Sequence, residues 1–409
     1  MKSQLSILAI LILFQQLLAA EGDWPNWRGP NFNNVAPAGS SMPAEFGPDK
    51  NLVWKTDIPG RGHSSPIVVG DRLIVTTADE AKEVQSVICL SRDSGEQLWK
   101  TDVHTGNFVK RIHKKNTHAS PTPAWDGERI IVSFFNGGMV NLTALNIEGE
   151  KLWSTQPGAY RGQYNYGYAA SPLIHGDNVI VVSEFKEDGF LAAFNRADGS
   201  EVWRVPRSNE TSYSSPILAK SGGKEIVVIS GDDKLTAYNP ENGEQIWATA
   251  GVARATSGTA TWDGDLVFAS GGYPQKETLA VNAKTGEAVW RNTDKSYEQS
   301  LLAHDGYVYT LNDAGIANCW RASDGKQMWQ ERLGGPVSAS PVLVGDLILA
   351  TNERGQFFVF KANPQSFELV SQTTLGNESF ASPAVSGDRI FIRVAGGRDR
   401  QETIYCFGK

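Results

Sequence analysis

Residues 214–250 read SSPILAKSGGKEIVVISGDDKLTAYNPENGEQIWATA, and the fold is decided by what alternates in that stretch. Four short runs suited to strands, 214–219, 225–230, 235–239 and 245–248, are separated by Gly-Gly, Gly-Asp-Asp and Asn-Pro-Glu-Asn-Gly, which turn a chain sharply. The run Ile226-Val227-Val228-Ile229 is β-branched and unbroken by polar residues, as a strand buried on both faces requires.

The same unit recurs along the chain. A Gly-x-x-x-Trp element occurs at Gly95/Trp99, Gly149/Trp153, Gly199/Trp203, Gly243/Trp247, Gly286/Trp290 and Gly325/Trp329. A Ser-Pro followed by an apolar run and a Gly-Asp or Asp-Gly turn begins at Ser65, Ser120, Ser171, Ser215, Ser340 and Ser382, with degenerate copies at Gly258-Thr259 and Ser300-Leu301. Four strands in each period of about 40 to 45 residues is the pattern of a propeller blade. Eight periods predict an all-β, eight-bladed propeller of four-stranded antiparallel blades.

The two chain ends complete that count. The last unit ends at Ile404-Tyr405-Cys406-Phe407-Gly408-Lys409 without a Trp-bearing fourth strand, and Asn51-Leu52-Val53-Trp54-Lys55 is a Trp-bearing strand with no unit before it. The two are expected to share the last blade, which removes the free edges that would otherwise recruit another chain.

Lys2 and the apolar run 5–14 read as a secretory leader, too short to span a bilayer, with cleavage placed after Gly22 and Ala20 as the alternative. The expected organisation is a leader over 1–22, an N-terminal strap over the propeller's edge at 23–50, and the propeller over 51–409. No cysteine follows the apolar run, so an exported protein, periplasmic or extracellular and not a lipoprotein, is expected, with no membrane-spanning segment after cleavage. The 409 residues carry a net charge of −7, which argues against a phosphate-backbone footprint and a nucleic-acid partner. Cys89, Cys319 and Cys406 lie in separate apolar strand-like runs, and their odd number and spacing suggest buried strand residues, with neither a zinc site nor a disulfide framework.

The pattern Ala-x-Asn/Asp-x-x-x-Gly-x-x-x-Trp, as at 193–203, 237–247 and 280–290, resembles the tryptophan-docking repeat of quinoproteins and PQQ-like β-propellers over nearly all of the chain after the leader. The opening Trp24-Pro25-Asn26-Trp27-Arg28-Gly29-Pro30 is similar to the start of exported bacterial PQQ-like repeat proteins. The resemblance implies a structural, docking role for Trp54, Trp99, Trp153, Trp203, Trp247, Trp290 and Trp329. It also implies one of two functions: a dehydrogenase with PQQ and Ca²⁺ on the axis and an Asp base, or a scaffold like the outer-membrane assembly propeller. No Cys-Cys pair and no C-x-x-C-H motif occur, and blades this short leave little chain for a lid over a cofactor. G-x-S-x-G, H-E-x-x-H and G-x-x-x-x-G-K-[ST] are also absent.

The favoured reading is therefore an exported, non-catalytic, monomeric binding propeller without a cofactor or metal, taking a protein, peptide or glycan ligand on its top face. The alternative is a PQQ- and Ca²⁺-dependent dehydrogenase. Two positions before each Ser-Pro serine stand His63, His118, Ala169, Tyr213, Thr256, Glu298, Ser338 and Phe380, a ring expected to surround the axis. Of these, His63, His118, Tyr213, Thr256 and Glu298 are the candidate ligand-binding residues. Two long entry loops should sit side by side on that face: a basic one with Lys110, Arg111, His113, Lys114 and Lys115, and a tyrosine-rich one with Tyr160, Arg161, Tyr164, Tyr166 and Tyr168.

Overall fold

The computed structural model describes residues 22–207, 210–252 and 256–409; the leader expected over 1–22 lies outside these except for Gly22. Eight four-stranded antiparallel sheets form the ring, and no helix occurs among the described residues. In the quoted repeat the strands are Ile217–Ser221, Lys224–Gly231, Lys234–Tyr238 and Gln245–Ala250. The innermost strand starts later than its sequence suggests because Pro216 has no N–H, and the Ser215 N–H is taken by a neighbouring blade.

The last blade closes as expected. Ala384–Ser386, Arg389–Gly396 and Gln401–Gly408 supply three strands, and Leu52–Ile58 from the other end of the chain supplies the outermost, with Trp54 opposite Cys406 and Thr56 opposite Ile404. All three cysteines are buried and free, and burial pushes each thiol up to about 12.

Every outermost strand carries a bulge at the same place. Val53, Leu98, Leu152, Val202, Ile246, Val289, Met328 and Val370 are each the extra residue where the register slips against the adjoining strand. Such a bulge re-aims the next side chain and spoils the exposed edge as a template for another strand. In seven blades that next residue is the tryptophan, whose indole N–H donates to a carbonyl of the following blade: Trp54 to Arg92, Trp99 to Ile147, Trp153 to Arg196, Trp203 to Pro240, Trp247 to Ala283, Trp290 to Ala322 and Trp329 to Asn363, at 2.7–3.1 Å. Six of these rings also cover the repeat glycine, where a Cβ would lie 2.5–2.8 Å from the indole. No other residue fits there, since the glycines also have φ of +71° to +87°.

Blade seven has Ser371 in place of the tryptophan, and its hydroxyl donates to the Ala44 carbonyl at 2.6 Å. The gap is filled from the N-terminal segment: Phe46 packs on Phe357 of blade seven and on Phe407 of blade eight, with ring centroids 6.1 and 4.9 Å apart. Only this end of the segment lies at the propeller's edge. Upstream it crosses the channel, where Trp24 bridges Val68 of blade one, Pro25 accepts from the Trp125 N–H of blade two, and Val35 bridges Leu343 of blade seven. Trp24 and Arg28 are fully buried there.

Candidate functional site

The serines that open the blades form a closed belt. Ser65 N–H donates to the Thr122 hydroxyl, Thr122 to Ser171, Ser171 to Ser215, Ser215 to Thr259, Thr259 to Ser300, Ser300 to Ser340, Ser340 to Ser382, and Ser382 back to Ser65, at 2.9–3.2 Å. In blade two the belt residue is Thr122, followed by Pro123, and not Ser120. With two consecutive X-Pro pairs in the sequence, it is the second proline that abuts the inner strand Ala124–Trp125. In blade five it is Thr259 and not Gly258.

Residues two positions earlier point to the same side of an extended chain, so they form a second ring above the belt. With the register corrected, that ring is His63, Ser120, Ala169, Tyr213, Ser257, Glu298, Ser338 and Phe380, and all eight line one cavity of about 460 Å³ on the axis. Two expected members fall outside it because of the register. His118 stacks on Phe108, with centroids 4.1 Å apart, in a side groove. Thr256 is buried with its hydroxyl donating to the Val252 carbonyl at 2.7 Å.

Trp27 of the crossing segment also lines the cavity, so the motif noted at 24–30 supplies part of its wall. The basic loop lines part of it, although blades this short were expected to leave little chain for a lid over a cofactor. Lys115 Nζ reaches across to Glu353 at 2.7 Å and to Glu298 at 3.2 Å, and the Ser338 hydroxyl bonds both carboxylates. Burial would lower the Lys115 pKa, but the hydrogen bond to Glu353 and the charge of Glu298 outweigh it and raise it. Burial first, and then the charges of Arg61 and Arg393, hold the His63 pKa well below its ordinary value. The ring stacks on Phe380 at 4.4 Å, and its Nδ1 lies 3.1 Å from the Lys115 carbonyl, which can only accept. His63 is therefore neutral, protonated at Nδ1, and accepts from Arg61 at Nε2, 3.4 Å away.

The tyrosine-rich loop divides. Tyr160 and Tyr168 are core residues: Tyr160 meets Phe135 and Phe185 edge-on, and the Tyr168 hydroxyl donates to the Val182 carbonyl at 2.9 Å. Tyr164, Tyr166 and Tyr213 stack in a row, with centroids 5.4 and 5.7 Å apart. The two loops are joined, because His113 N–H and Asn116 Nδ2 both donate to the Tyr166 carbonyl. Lys110, Arg111, Lys114 and Arg161 are exposed. A second groove, of about 660 Å³, runs beside Glu80, Glu83, Lys110 and Arg111 and shares His113, Lys114 and Tyr166 with the axial cavity. Trp27, Ser120, Ser257, Tyr297 and Glu353 belong to the site without having been singled out by sequence.

The donor set does not suit Ca²⁺. Glu298 and Glu353 are already shared by Lys115 and Ser338, and the described residues bring no three His, Cys, Asp or Glu together.

A family model described as "Outer membrane protein assembly factor BamB" matches residues 47–166 and 83–331. The protein of that name from Burkholderia pseudomallei (strain K96243) is 23% identical over 323 residues, 77% of this chain and 68% of the relative. The crystal structure of BamB from Moraxella catarrhalis superposes with a TM-score of 0.63 at 18% identity, covering 87% of this chain and 99% of that one. Quinohemoprotein alcohol dehydrogenase from Comamonas testosteroni gives 0.68 at 14% identity, over 95% of this chain and 81% of that one. Likeness to solved structures at these identities is one of fold alone.

Proposed function

The chain belongs to the PQQ-like propeller family described as outer membrane protein assembly factor BamB, and on that premise we propose that it is an exported, non-catalytic binding propeller that holds an extended segment of a protein partner on its top face. The observation that carries this reading is that the axial cavity and the side groove have His113, Lys114 and Tyr166 in common in their linings. The two adjoin over blades one to three, and the groove is walled by Tyr164 and Tyr166 and by the exposed cations Lys110, Arg111 and Lys114. Tyrosine and arginine are the residue types that anchor partner segments, and rim cations steer encounter. Lys115 is not among the free contacts, because its ammonium is already bonded to Glu298 and Glu353.

A scaffold role also suits the polar groups of the cavity. The two carboxylates that would serve as a base are both engaged by Lys115 and Ser338, and His63 is pinned between a carbonyl and a guanidinium. A general base needs a free lone pair within reach of the proton it removes. No role for PQQ or Ca²⁺ enters this proposal.

The test uses a photo-crosslinking residue at Tyr164 or Lys114 of the full chain in its own host, with Leu152 on the propeller's circumference as control. A discrete adduct is expected at the top face only, lost in the triple variant Lys110→Glu, Arg111→Glu, Lys114→Glu at unchanged melting temperature. The opposing result is stoichiometric, Ca²⁺-dependent PQQ binding with turnover in a dye-linked alcohol oxidation assay.

A further inference from the structure

Each belt hydroxyl accepts one backbone N–H, and none of the eight O–H protons has an acceptor among the described residues. A hydroxyl has one proton to donate besides the lone pairs that accept. With the lone pairs turned toward the preceding blade, the open direction for these protons is the channel. Six of the eight, Ser65, Thr122, Ser171, Ser215, Ser340 and Ser382, line the cavity together with Trp27. Buried donors without an acceptor cost free energy until something accepts from them.

A second observation points the same way. Arg28 is buried behind Trp27 against blades five and six, outside the cavity's own lining, where its guanidinium donates to the carbonyls of Ala260 and Leu301, the residues directly after belt members Thr259 and Ser300. Its Nε has no partner, and no carboxylate pairs with it among the described residues. The guanidinium carbon lies 5.9 Å from the Trp27 ring centroid. Burial alone pulls the Arg28 pKa down to about 9, the mark of a charge lacking a counter-ion. Elsewhere around the cavity the charges do not offset it. Lys114 and Lys115 balance Glu298 and Glu353, while behind His63 three arginines, Arg61, Arg393 and Arg400, meet only Glu378 and Glu402. The channel is thus locally positive in a protein of net charge −7.

We infer that the floor of the axial cavity is a binding site for a small oxyanion group, a carboxylate, phosphate or sulfate, held by the belt hydroxyls above Arg28. Converging neutral donors suit such a group because each hydrogen bond to it is charge-assisted and none requires a full counter-charge at contact. The cavity is larger than a single ion, which leaves room for the rest of a molecule carrying the anionic end. The site shares the axial cavity with the partner surface proposed above but not its cationic groove, since no residue of the side groove takes part in the belt.

Isothermal titration of the full chain with acetate, phosphate and sulfate at constant ionic strength, with acetamide as the neutral control, tests it and separates the sources. One-to-one saturable binding of at least one anion, no binding of acetamide, and about tenfold or greater weakening in Arg28→Gln are expected. Selectivity for acetate would mark a carboxylate ligand, and selectivity for phosphate or sulfate a tetrahedral one. Because Arg28→Gln can unseat the crossing segment, wild-type crystals soaked in bromide supply a second reading, with an anomalous peak expected on the axis within the belt. No saturable heat from any of the three anions, or bromide confined to the outer surface, overturns the site. Neither readout involves the crosslinking partner, so a failure of the partner-binding reading leaves both intact.

Discussion

The backbone N–H of Ser382 donates to the hydroxyl of Ser65 at 3.0 Å across 317 positions of sequence, and this bond closes the belt. Blade eight is thereby tied to blade one at the axis, while the pairing of Leu52–Ile58 with Gln401–Gly408 ties the chain ends at the rim. Ser65→Ala removes the acceptor and leaves the buried Ser382 N–H unpaired, a loss of about 1–3 kcal/mol. Calorimetry should show a lower melting temperature with unchanged cooperativity. Deleting 404–409 removes most of the strand Gln401–Gly408, which lies between two others, and a loss of the monomeric peak in gel filtration is expected.

Trp203 and Gly243 test the docking contact from both sides. Trp203→Ala empties the site on blade four and removes the bond to the Pro240 carbonyl, at a cost of about 3–5 kcal/mol. Gly243→Ala forces a Cβ to 2.6 Å from the Trp203 ring at φ +72°, so it should destabilise although it adds one methyl group only. Val202→Lys at the exposed bulge residue should lie within about 0.5 kcal/mol of wild type. Urea midpoints for the three variants decide this order, and equal effects would refute the docking account.

Much of this was legible in sequence for a simple reason: every Gly-x-x-x-Trp element carries both halves of the docking contact, a glycine that receives the previous blade's indole and a tryptophan that docks on the next blade. The ring above the belt was legible only as far as its register. His118 and Thr256 were misplaced because Thr122 and Thr259 replace serine, and a hydroxyl that accepts a backbone N–H does not care which of the two carries it. Trp27 and Glu353 were not legible as site residues at all. One arrives from outside the repeats, and the other joins through a bond to Lys115, three blades away around the ring. Contacts across a channel leave no periodic mark.

Phe46 carries a different prediction, because it stands in for a tryptophan that the repeat lacks. Phe46→Ala opens the junction of blades seven and eight and removes the ring that packs on both Phe357 and Phe407. A loss of about 3–5 kcal/mol is expected. Phe46→Trp should retain most of the stability, and proteolysis of the variants should begin near residues 40–50 in the alanine form.

The protonation of His63 sets an acid limit. Its folded pKa lies well below the unfolded value near 6.5, mainly through burial and then through Arg61 and Arg393, so below pH 6.5 the unfolded chain takes up a proton that the folded chain refuses. Stability is therefore flat in this respect above pH 6.5 and falls as the pH drops below it, by up to about 1.4 kcal/mol per pH unit for one group until the folded pKa is reached. His104 and His118 are shifted the same way, also by burial, and add to the slope. Urea unfolding at pH 8, 6 and 5 should show the fall, and His63→Asn, which keeps a hydrogen-bonding amide against the Lys115 carbonyl, should reduce its steepness between pH 6.5 and 5. An unchanged slope would mean that His63 is protonated in the folded protein and that its ring is not held between Arg61 and Lys115.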